Sequence, residues 1–251
     1  MNPKTDRVNI LGVNVNCDDK QTILKKVVNW AGENTPRTIT YVNAHCINLS
    51  VKNIEYRDVI NQADLVYSDG ISVVWASQIL SGCQLDKVTG REWIFDLCEL
   101  AIANNLRIYI LAGAPNIARS ASENLIEKWP KLNIVGTTDG YFREKKNDQI
   151  LEEINSSKPH VLLVGMGSPQ QEFWISKHRD VIGVPICWSV GALFDYVAGV
   201  EPSVPSWMNK LALEWMWRLF IDPKGKWKRY IIGNPSFAAR VLHQKLLRTL
   251  K

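Results

Sequence analysis

An acid and a glycine follow a short apolar run in the stretch ADLVYSDGISVVWA, where Asp69 and Gly70 stand side by side. Asp-Gly pairs most often mark turns. A carboxylate at the end of a buried strand can also act as a general base, because a positioned acid takes the proton from a reacting hydroxyl group. The pair by itself allows both a turn and a catalytic base.

Two further apolar runs, RIYILAGAP and HVLLVGMGSP, end in glycines followed by proline. A glycine turn that leads into a helix N-terminus is suited to phosphate binding. Gly165 and Gly167 could open a dinucleotide fingerprint, but Gln170 occupies the position of the third glycine, and no P-loop signature is present. The run therefore predicts either a phosphate site or a tight strand-to-helix connection, and it disfavours a nicotinamide-dependent enzyme.

Residues with metal or redox chemistry are scattered along the chain. The five cysteines never form a Cys-x-x-Cys motif, which predicts reduced thiols. The four histidines form no His-Glu-x-x-His pattern, and no Asp-x-Asp motif occurs. The sequence predicts neither a dedicated metal site nor a bound cofactor.

Apolar runs rich in β-branched residues alternate with segments of helical length, which predicts an α/β fold with a mostly parallel sheet covered on both faces. The predicted strands are 8–13, 38–42, 65–67, 107–112, 133–137, 160–165 and 184–190. The predicted helices are 19–32, 44–53, 71–81, 91–104, 115–128, 146–156 and 169–180. Ligands of such sheets bind beyond the carboxyl ends of the strands. Polar or glycine-rich stretches are predicted at that edge, namely NAHC, SDG, AGAP, GMGSPQQE and SVGALFD.

The 251 residues are 46% hydrophobic and 22% charged, as is typical of a globular protein. No apolar run reaches the roughly 18 residues of a membrane span, and the start lacks a secretory core, so we expect a cytoplasmic protein. The net charge of +5 is unevenly distributed. Residues 200–251 hold 10 Lys and Arg against 3 Asp and Glu, whereas residues 1–199 hold 20 against 22. This asymmetry favours an acidic partner.

The basic C-terminal segment also contains four of the ten tryptophans. Helical spacing places one apolar stripe on Met208, Leu211, Ala212, Trp215 and Leu219. Lysines and an arginine then surround Trp227. Interfacial aromatics beside a basic face favour docking on an anionic membrane surface. Packing of the tryptophans on the α/β core is the alternative, and nucleic acid is disfavoured because no recognition motif accompanies the charge.

Five blocks occur in the order found in one family, namely ADLVYSDGISVVWA, DKVTGREWIFDLCE, VGMGSPQQEFWI, SVGALFDYVAG and LALEWMWRLFIDPKGKWKRYIIGNPSF. From about residue 8 to residue 243 the chain resembles the WecG/TagA/CpsF glycosyltransferases, glycosyltransferase family 26. The resemblance implies a Rossmann-like α/β core over residues 1–199 and a membrane-docking helical appendage over residues 200–251. It further implies a protein located on the cytoplasmic face of the bacterial membrane as a peripheral protein.

The resemblance also implies a reaction. Family members transfer a sugar from a UDP-sugar to a polyprenyl-diphosphate-linked saccharide, with inversion and without a metal, in the synthesis of teichoic acid, common antigen, capsule or exopolysaccharide. The donor stays open among N-acetylmannosamine, its uronic acid, glucose and glucuronic acid, and the oligomeric state is open, with a homo-oligomer allowed. Two other interpretations remain, another nucleotide-binding Rossmann-like enzyme and a non-catalytic membrane adaptor.

Position by position, Asp69 matches the family's proposed catalytic base, and Asn43 matches the asparagine of a Thr-x-Asn block. Tyr41 stands where the family has threonine, and Thr40 beside it is expected to face the other side of its strand. Gln171 is the preferred candidate for a contact with uracil, ribose or sugar. The further substrate-binding candidates are Gly70, Gly90, Arg91, Glu92, Gly113, Gly167, Pro169, Gln170, Glu172, Gly191 and Asp195.

Two of these assignments have an alternative interpretation, and one further position departs from the family pattern. Arg91 could neutralise a diphosphate or could be an ordinary surface arginine. Asp195 could be a helix cap as well as a ligand contact. The chain reads Ser-Val-Pro from Ser203 where the family commonly has Arg-Ala-Pro, so an arginine that faces phosphate is missing. The cations expected to neutralise the departing diphosphate, and to contact the membrane, are Arg218, Lys224, Lys228 and Arg229.

Overall fold

The computed structural model describes residues 7–33, 35–82, 85–142, 147–202, 204–205, 207–208 and 213–250. Its strands are β1 (Arg7–Ile10), β2 (Val13–Asn16), β3 (Arg37–Val42), β4 (Leu65–Ser68), β5 (Arg107–Ala112), β6 (Asn133–Thr138), β7 (Val161–Gly165) and β8 (Ile186–Ser189). Its helices up to residue 197 are α1 (Lys20–Ala31), α2 (Ala44–Lys52), α3 (Ile54–Gln62), α4 (Ile71–Ser81), α5 (Gly90–Ala103), α6 (Ile117–Lys128), α7 (Asn147–Ser157), α8 (Gln170–His178) and α9 (Leu193–Val197). After them come α10 (Glu214–Ile221), α11 (Pro223–Trp227), a π-helical turn (Lys228–Ile232) and α12 (Gly233–Thr249).

A six-stranded sheet confirms the predicted α/β, Rossmann-like class. Its strand order is β4-β3-β8-β7-β5-β6, and each neighbouring pair is parallel. Parallel pairing brings the carboxyl ends of the strands to one edge. The polar stretches that follow β3, β4, β5, β7 and β8 therefore share that edge, as the sequence predicted.

Helices cover both faces of the sheet and bury its apolar strands. On one face, α1, α5, α6 and α9 form a single hydrophobic cluster with the strands, in which Trp93 and Trp188 stack with ring centroids 4.0 Å apart. On the other face, α7 and α8 pack against β5 and β7. The remaining part of that face, near β3 and β4, is covered by α2, α3 and α4. Burial on both faces explains why the strands are nearly continuous apolar runs.

The first predicted strand, 8–13, is wrong in its extent, because residues 7–16 form an antiparallel hairpin of β1 and β2 outside the main sheet. Leu11 and Gly12 make its two-residue turn, both with positive φ (52° and 90°). Such turns match the twist of the flanking strands, but they usually carry Asn, Asp or Gly at both positions. Because leucine is unusual at the first position, the sequence did not indicate a turn there.

Helix α3 was also missed. Asn53 ends α2 and at the same time begins α3, because its side chain accepts a hydrogen bond from the backbone N–H of Tyr56 at 3.0 Å. An asparagine cap of this kind lets two helices follow each other with one residue between them. The sequence pattern alone showed one helix there, ending at residue 53.

The C-terminal segment is helical, as predicted, and its last helix packs on the core. Phe237 and Val241 of α12 are 5% and 1% exposed within the cluster that also contains the β1–β2 hairpin, α2 and α4. Gln244 accepts a hydrogen bond from the backbone N–H of Leu11 at 2.9 Å. Helix α12 is thus attached to the α/β core through apolar and polar contacts. Two members of the predicted apolar stripe, Leu211 and Ala212, lie outside the described residues.

Replacement of Phe237 by alanine should lower the free energy of unfolding by about 3 kcal/mol, because it opens a cavity in a buried cluster. Leu246 on the same helix is 62% exposed and is the matched control, so Leu246→Ala should change stability by less than about 0.5 kcal/mol. Urea unfolding of the two full-length variants measures both values. Equal effects of the two substitutions would show that α12 is not anchored through Phe237.

Candidate functional site

Asn43 and Asp69 are held together at the carboxyl edge of two neighbouring parallel strands. Each residue directly follows its strand, and the last residues of those strands, Val42 and Ser68, are paired in register. The Asn43 side-chain amide donates to the Asp69 carboxylate at 3.3 Å, and the Asp69 backbone N–H donates to the carbonyl of Val42 at 2.8 Å. The Asn43 side-chain oxygen accepts from the N–H groups of His45 and Cys46, so it also caps α2. The sheet thus fixes both side chains.

Asp69 faces a polar cleft, called here the Asp69 cleft. Its larger part has a volume of about 210 Å³ and extends from Asp69 to the loop containing Gly167 and Ser168. A smaller part continues past Asp69 toward α10 and the π-helical turn. Six residues line both parts, namely Asn43, His45, Asp69, Glu214, Arg218 and Arg229. The acid and the glycine loop after β7 therefore meet in one cleft.

The surroundings of Asp69 raise the pKa of its carboxyl group. Burial is the main cause, because it disfavours the charged form, and nearby Glu214 acts in the same direction. Arg218 and the hydrogen bond from Asn43 oppose the shift without cancelling it. A carboxylate with a raised pKa is a stronger base than an exposed one, which suits it for proton abstraction.

Of the four predicted cations, two reach the Asp69 cleft. Arg218 of α10 and Arg229 of the π-helical turn line it, whereas Lys224 and Lys228 are exposed outside it. Burial opposes the charge of Arg218, but its interactions with Tyr196, Tyr230, Asp69 and Glu214 outweigh burial and raise the pKa of its guanidinium group. The cleft therefore combines the carboxyl groups of Asp69 and Glu214 with two guanidinium groups. Ser203, where the sequence departs from the family pattern, lies outside the described residues.

Gln171 is fully buried beneath the cleft and not on its surface. Its side-chain oxygen accepts from the backbone N–H of Gly191 at 2.9 Å, and its amide nitrogen donates to Glu172 at 2.7 Å. The Ser168 hydroxyl group donates to the same carboxyl oxygen of Glu172 at 2.9 Å. Both polar atoms of the Gln171 amide are thus committed to protein groups. In this geometry Gln171 and Glu172 position the Ser168 and Gly191 loops, in place of the direct ligand contact expected of Gln171.

Tyr41 and Thr40 face opposite sides of β3, as the strand alternation predicted. Tyr41 lines the Asp69 cleft beside Gly191, and a side chain at position 191 would collide with its hydroxyl group. Thr40 is buried and accepts a hydrogen bond from Ser189 at 2.6 Å. Tyr41 therefore lines the cleft, and Thr40 does not reach it in this geometry.

The predicted glycines divide into two groups. Gly70, Gly90, Gly167 and Gly191 line the Asp69 cleft. Gly70 and Gly167 have positive φ values of 98° and 79° with open space where a side chain would begin, so they leave room near Asp69 and near Ser168. Gly113 packs against Ile117 and does not line the cleft in the described part of the chain.

Four other predicted residues lie outside the cleft. Glu92 and Gln170 are exposed on the first turns of α5 and α8, and Pro169 precedes α8. Asp195 lies in the first turn of α9, whose N-cap is Ala192, and it is absent from the described lining of the cleft. Burial and nearby Glu201 raise the pKa of its carboxyl group. The side chain of Arg91 lies outside the described residues.

Sequence reasoning did not single out three titratable residues of the cleft. His45 follows the Asn43 cap, and burial together with Arg229 lowers its pKa to about 4, so its imidazole is neutral at pH 7. Lys87, in the loop before α5, pairs with Glu214 of α10. His45 lies in the NAHC stretch, Lys87 in DKVTGREWIFDLCE and Glu214 in LALEWMWRLFIDPKGKWKRYIIGNPSF, but a single histidine, lysine or glutamate has no distinctive spacing.

The described part of the chain holds no cluster of three or more His, Cys, Asp or Glu side chains arranged to bind a metal ion. None of its helices is long and apolar enough to cross a bilayer.

The fold and cleft define an α/β protein of the open parallel-sheet class, with its ligand site at the carboxyl edge. A family model described as the glycosyl transferase WecG/TagA/CpsF family matches residues 8–251. The chain belongs to this family of glycosyltransferases, which confirms the resemblance found in the sequence.

Two curated relatives illustrate the similarity. A Bacillus subtilis (strain 168) protein is 27% identical over 207 residues, which cover 82% of this chain and 79% of the relative. A Staphylococcus aureus (strain NCTC 8325 / PS 47) protein is 29% identical over 230 residues, 90% of this chain and 87% of the relative. Both carry the name N-acetylglucosaminyldiphosphoundecaprenol N-acetyl-beta-D-mannosaminyltransferase.

Replacement of Gln171 by alanine should destabilise the fold by about 1–3 kcal/mol, because it leaves the buried N–H of Gly191 without its acceptor. The neighbouring Gln170 is exposed and has the same side chain, so Gln170→Ala should cost less than about 0.5 kcal/mol. Urea unfolding compares the two. A Gln171→Ala protein as stable as Gln170→Ala would contradict the positioning role.

The pKa of Asp69 should move in opposite directions in two variants. Arg218→Gln removes a cation that favours the carboxylate and should raise the pKa further, whereas Glu214→Gln removes a like charge and should lower it. Carboxyl ¹³C NMR titration of aspartate-labelled protein follows the group, and Asp69→Asn identifies its signal. Shifts of the same sign in both variants would refute this electrostatic arrangement.

Proposed function

We propose that this chain is an inverting glycosyltransferase that moves a sugar from a UDP-sugar to a saccharide linked to polyprenyl diphosphate, in the synthesis of a bacterial surface polysaccharide. The observation that carries the proposal is the carboxylate of Asp69, held by Asn43 in the same cleft as Arg218, Arg229 and the Gly167 loop. Family membership and the names of the relatives support the reaction class.

Asp69 acts as the base in this proposal. Its carboxylate takes the proton of the acceptor hydroxyl group while the hydroxyl oxygen bonds to the anomeric carbon of the donor. The bond from that carbon to the UDP oxygen breaks on the opposite face, and the electron pair leaves with UDP, so the configuration inverts. The hydrogen bond from Asn43 keeps the carboxylate oriented throughout.

The two arginines neutralise the departing diphosphate. Guanidinium groups match phosphate oxygens with forked donors and stay charged at neutral pH. Arg218 and Arg229 lie in the Asp69 cleft, so their charge is available where negative charge grows on the leaving group. Because these fixed cations can supply that stabilisation, we propose that the transfer does not require a metal ion.

The names of the relatives specify N-acetylmannosaminyl transfer to an N-acetylglucosaminyl diphosphate lipid. We take this pair as the first substrates for this chain. Tyr41 occupies the cleft where the family has threonine, and its larger side chain borders Gly191. A panel of UDP donors for the transfer assay should therefore also include other sugars, among them glucose and the uronic acids.

We further propose that the chain works at the cytoplasmic face of the membrane as a peripheral protein. Phe220 and Trp227 of the C-terminal segment are 78% and 44% exposed, and the exposed Lys224 and Lys228 lie nearby in sequence. Exposed aromatics interspersed with basic residues favour an anionic interface. In this proposal the segment beyond residue 199 supplies both the membrane contact and the two cleft arginines.

Asp69→Asn should reduce transfer by a factor of about 10²–10⁴, because the amide cannot accept the proton while its shape preserves the cleft. The assay measures transfer of N-acetylmannosamine from its UDP donor to a synthetic N-acetylglucosaminyl diphosphate lipid. Asp58→Asn, an exposed change on α3, is the matched control and should retain full turnover.

Two further results from that assay decide the finer points. Turnover should persist in EDTA, and the new glycosidic bond should have the anomeric configuration opposite to that of the donor. Wild-type turnover by Asp69→Asn would exclude Asp69 as the base. Failure of the wild-type protein with the whole donor panel would overturn the proposed reaction.

A further inference from the structure

Helix α4 exposes apolar side chains next to the Asp69 cleft. Its inner face is buried through Val73, Ala76 and Leu80, while Trp75 and Ile79 are 57% and 39% exposed. Trp75 and Ile79 are four residues apart and therefore lie on the same face of the helix. Large exposed apolar side chains beside a site mark a surface for an apolar ligand or partner.

Helix α12 faces these side chains and completes a groove, called here the α4–α12 groove. Phe237 and Val241, both buried, line it, and Leu242, 55% exposed, borders it. Trp75 and Ile79 line it from the side of α4, and the groove has a volume of about 560 Å³. The groove lies between the two helices and is lined mainly by hydrocarbon.

The groove opens into the Asp69 cleft. Both are lined by the same residues at their junction, namely Ile71, Ser72, Trp215, Tyr230 and Asn234. The cleft on the other side of this junction contains Arg218 and Arg229. A polar site with two guanidinium groups beside Asp69 and Glu214 thus continues directly into the apolar α4–α12 groove.

This continuity matches one kind of ligand, an amphiphile with an anionic head and a hydrocarbon chain. We propose that the α4–α12 groove holds the first isoprene units of the acceptor's polyprenyl chain while the acceptor diphosphate lies at the junction between the groove and the cleft. The inference rests on the proposed function for the identity of the acceptor. It adds a lipid-chain site formed by the α/β core and α12 together.

The position and lining of the groove favour a chain over a flat partner. A bilayer surface or a second copy of the protein would cover the exposed rim of Trp75, Ile79 and Leu242, whereas the groove also reaches the buried side chains of Phe237 and Val241. An inserted chain buries apolar surface on both sides and so gains more stabilisation for each carbon. It also fixes the attached saccharide relative to Asp69, because the groove meets the cleft at Ile71 and Tyr230.

Isothermal titration calorimetry with two diphosphates tests the site without relying on transfer. Geranylgeranyl diphosphate has four isoprene units, and dimethylallyl diphosphate has one with the same head group. The full-length wild-type protein should bind the longer compound at least about tenfold more tightly. Ala238 is exposed and lines the groove, so Ala238→Trp should fill the groove and abolish most of this preference.

Ala239→Trp is the matched control, because Ala239 is exposed on the same helix, about 100° round from Ala238, and does not line the groove. It should retain the tenfold preference. Equal affinity of the wild-type protein for the two compounds, or equal loss of preference in both tryptophan variants, overturns the proposal.

Two measurements on the same variants distinguish the lipid chain from the two alternative occupants of the groove, a bilayer surface and a second copy of the protein. If Ala238→Trp keeps the chain-length preference but lowers sedimentation with anionic vesicles, the groove contacts the bilayer and the proposal is wrong. If Ala238→Trp keeps the chain-length preference but converts a dimer to a monomer in analytical ultracentrifugation, a second copy of the protein occupies the groove and the proposal is wrong. A chain-length preference that Ala238→Trp removes supports the lipid-chain site even if the transfer assay fails, so the two proposals fall separately.

Discussion

The site depends on the hydrogen bond from Asn43 to Asp69 across the ends of two parallel strands. The register of Val42 with Ser68 brings the two residues together, and the backbone bond from Asp69 to Val42 fixes the turn. The Asn43 side chain also caps α2, so the orientation of its amide cannot change without loss of that cap. One asparagine therefore joins a strand, a helix and the carboxylate that faces the cleft.

Helix α10 sets the electrostatic balance around that carboxylate. It contributes Glu214 and Arg218, four residues apart, which act on the pKa of Asp69 in opposite directions. Glu214 is in turn paired with Lys87 of the core. The net result is a desolvated carboxyl group that can still ionise, because Arg218 and Arg229 both favour its charged form. The C-terminal segment thus influences the pKa of a carboxyl group that belongs to the α/β core.

Alternation of strands and helices made the parallel sheet and its ligand edge predictable, since both follow from local apolar patterns. The pattern could not separate β1 from β2 around Leu11, or α2 from α3 around Asn53, because each boundary depends on a single residue. The contact expected of Gln171 became a buried bond to Gly191, a pairing 20 residues apart that no local signal specifies. The sequence did predict Arg218 of α10 as a cation of the site, but the place of Glu214 beside Asp69 depends on tertiary contacts for the same reason.

The C-terminal segment contains both a buried face that packs on the core and an exposed face. This arrangement determines which variants can test a function of the segment separately from its role in folding. One face of α12 completes the cluster that covers the N-terminal hairpin, so removal of the helix would expose Phe237 and Val241 together with their partners in the core. The loss of membrane binding, catalysis and folding could not then be distinguished. The exposed face of the same helix offers positions that change the surface and leave the buried contacts in place. Single substitutions on that face therefore separate a lipid contact from a structural one, which a truncation cannot do.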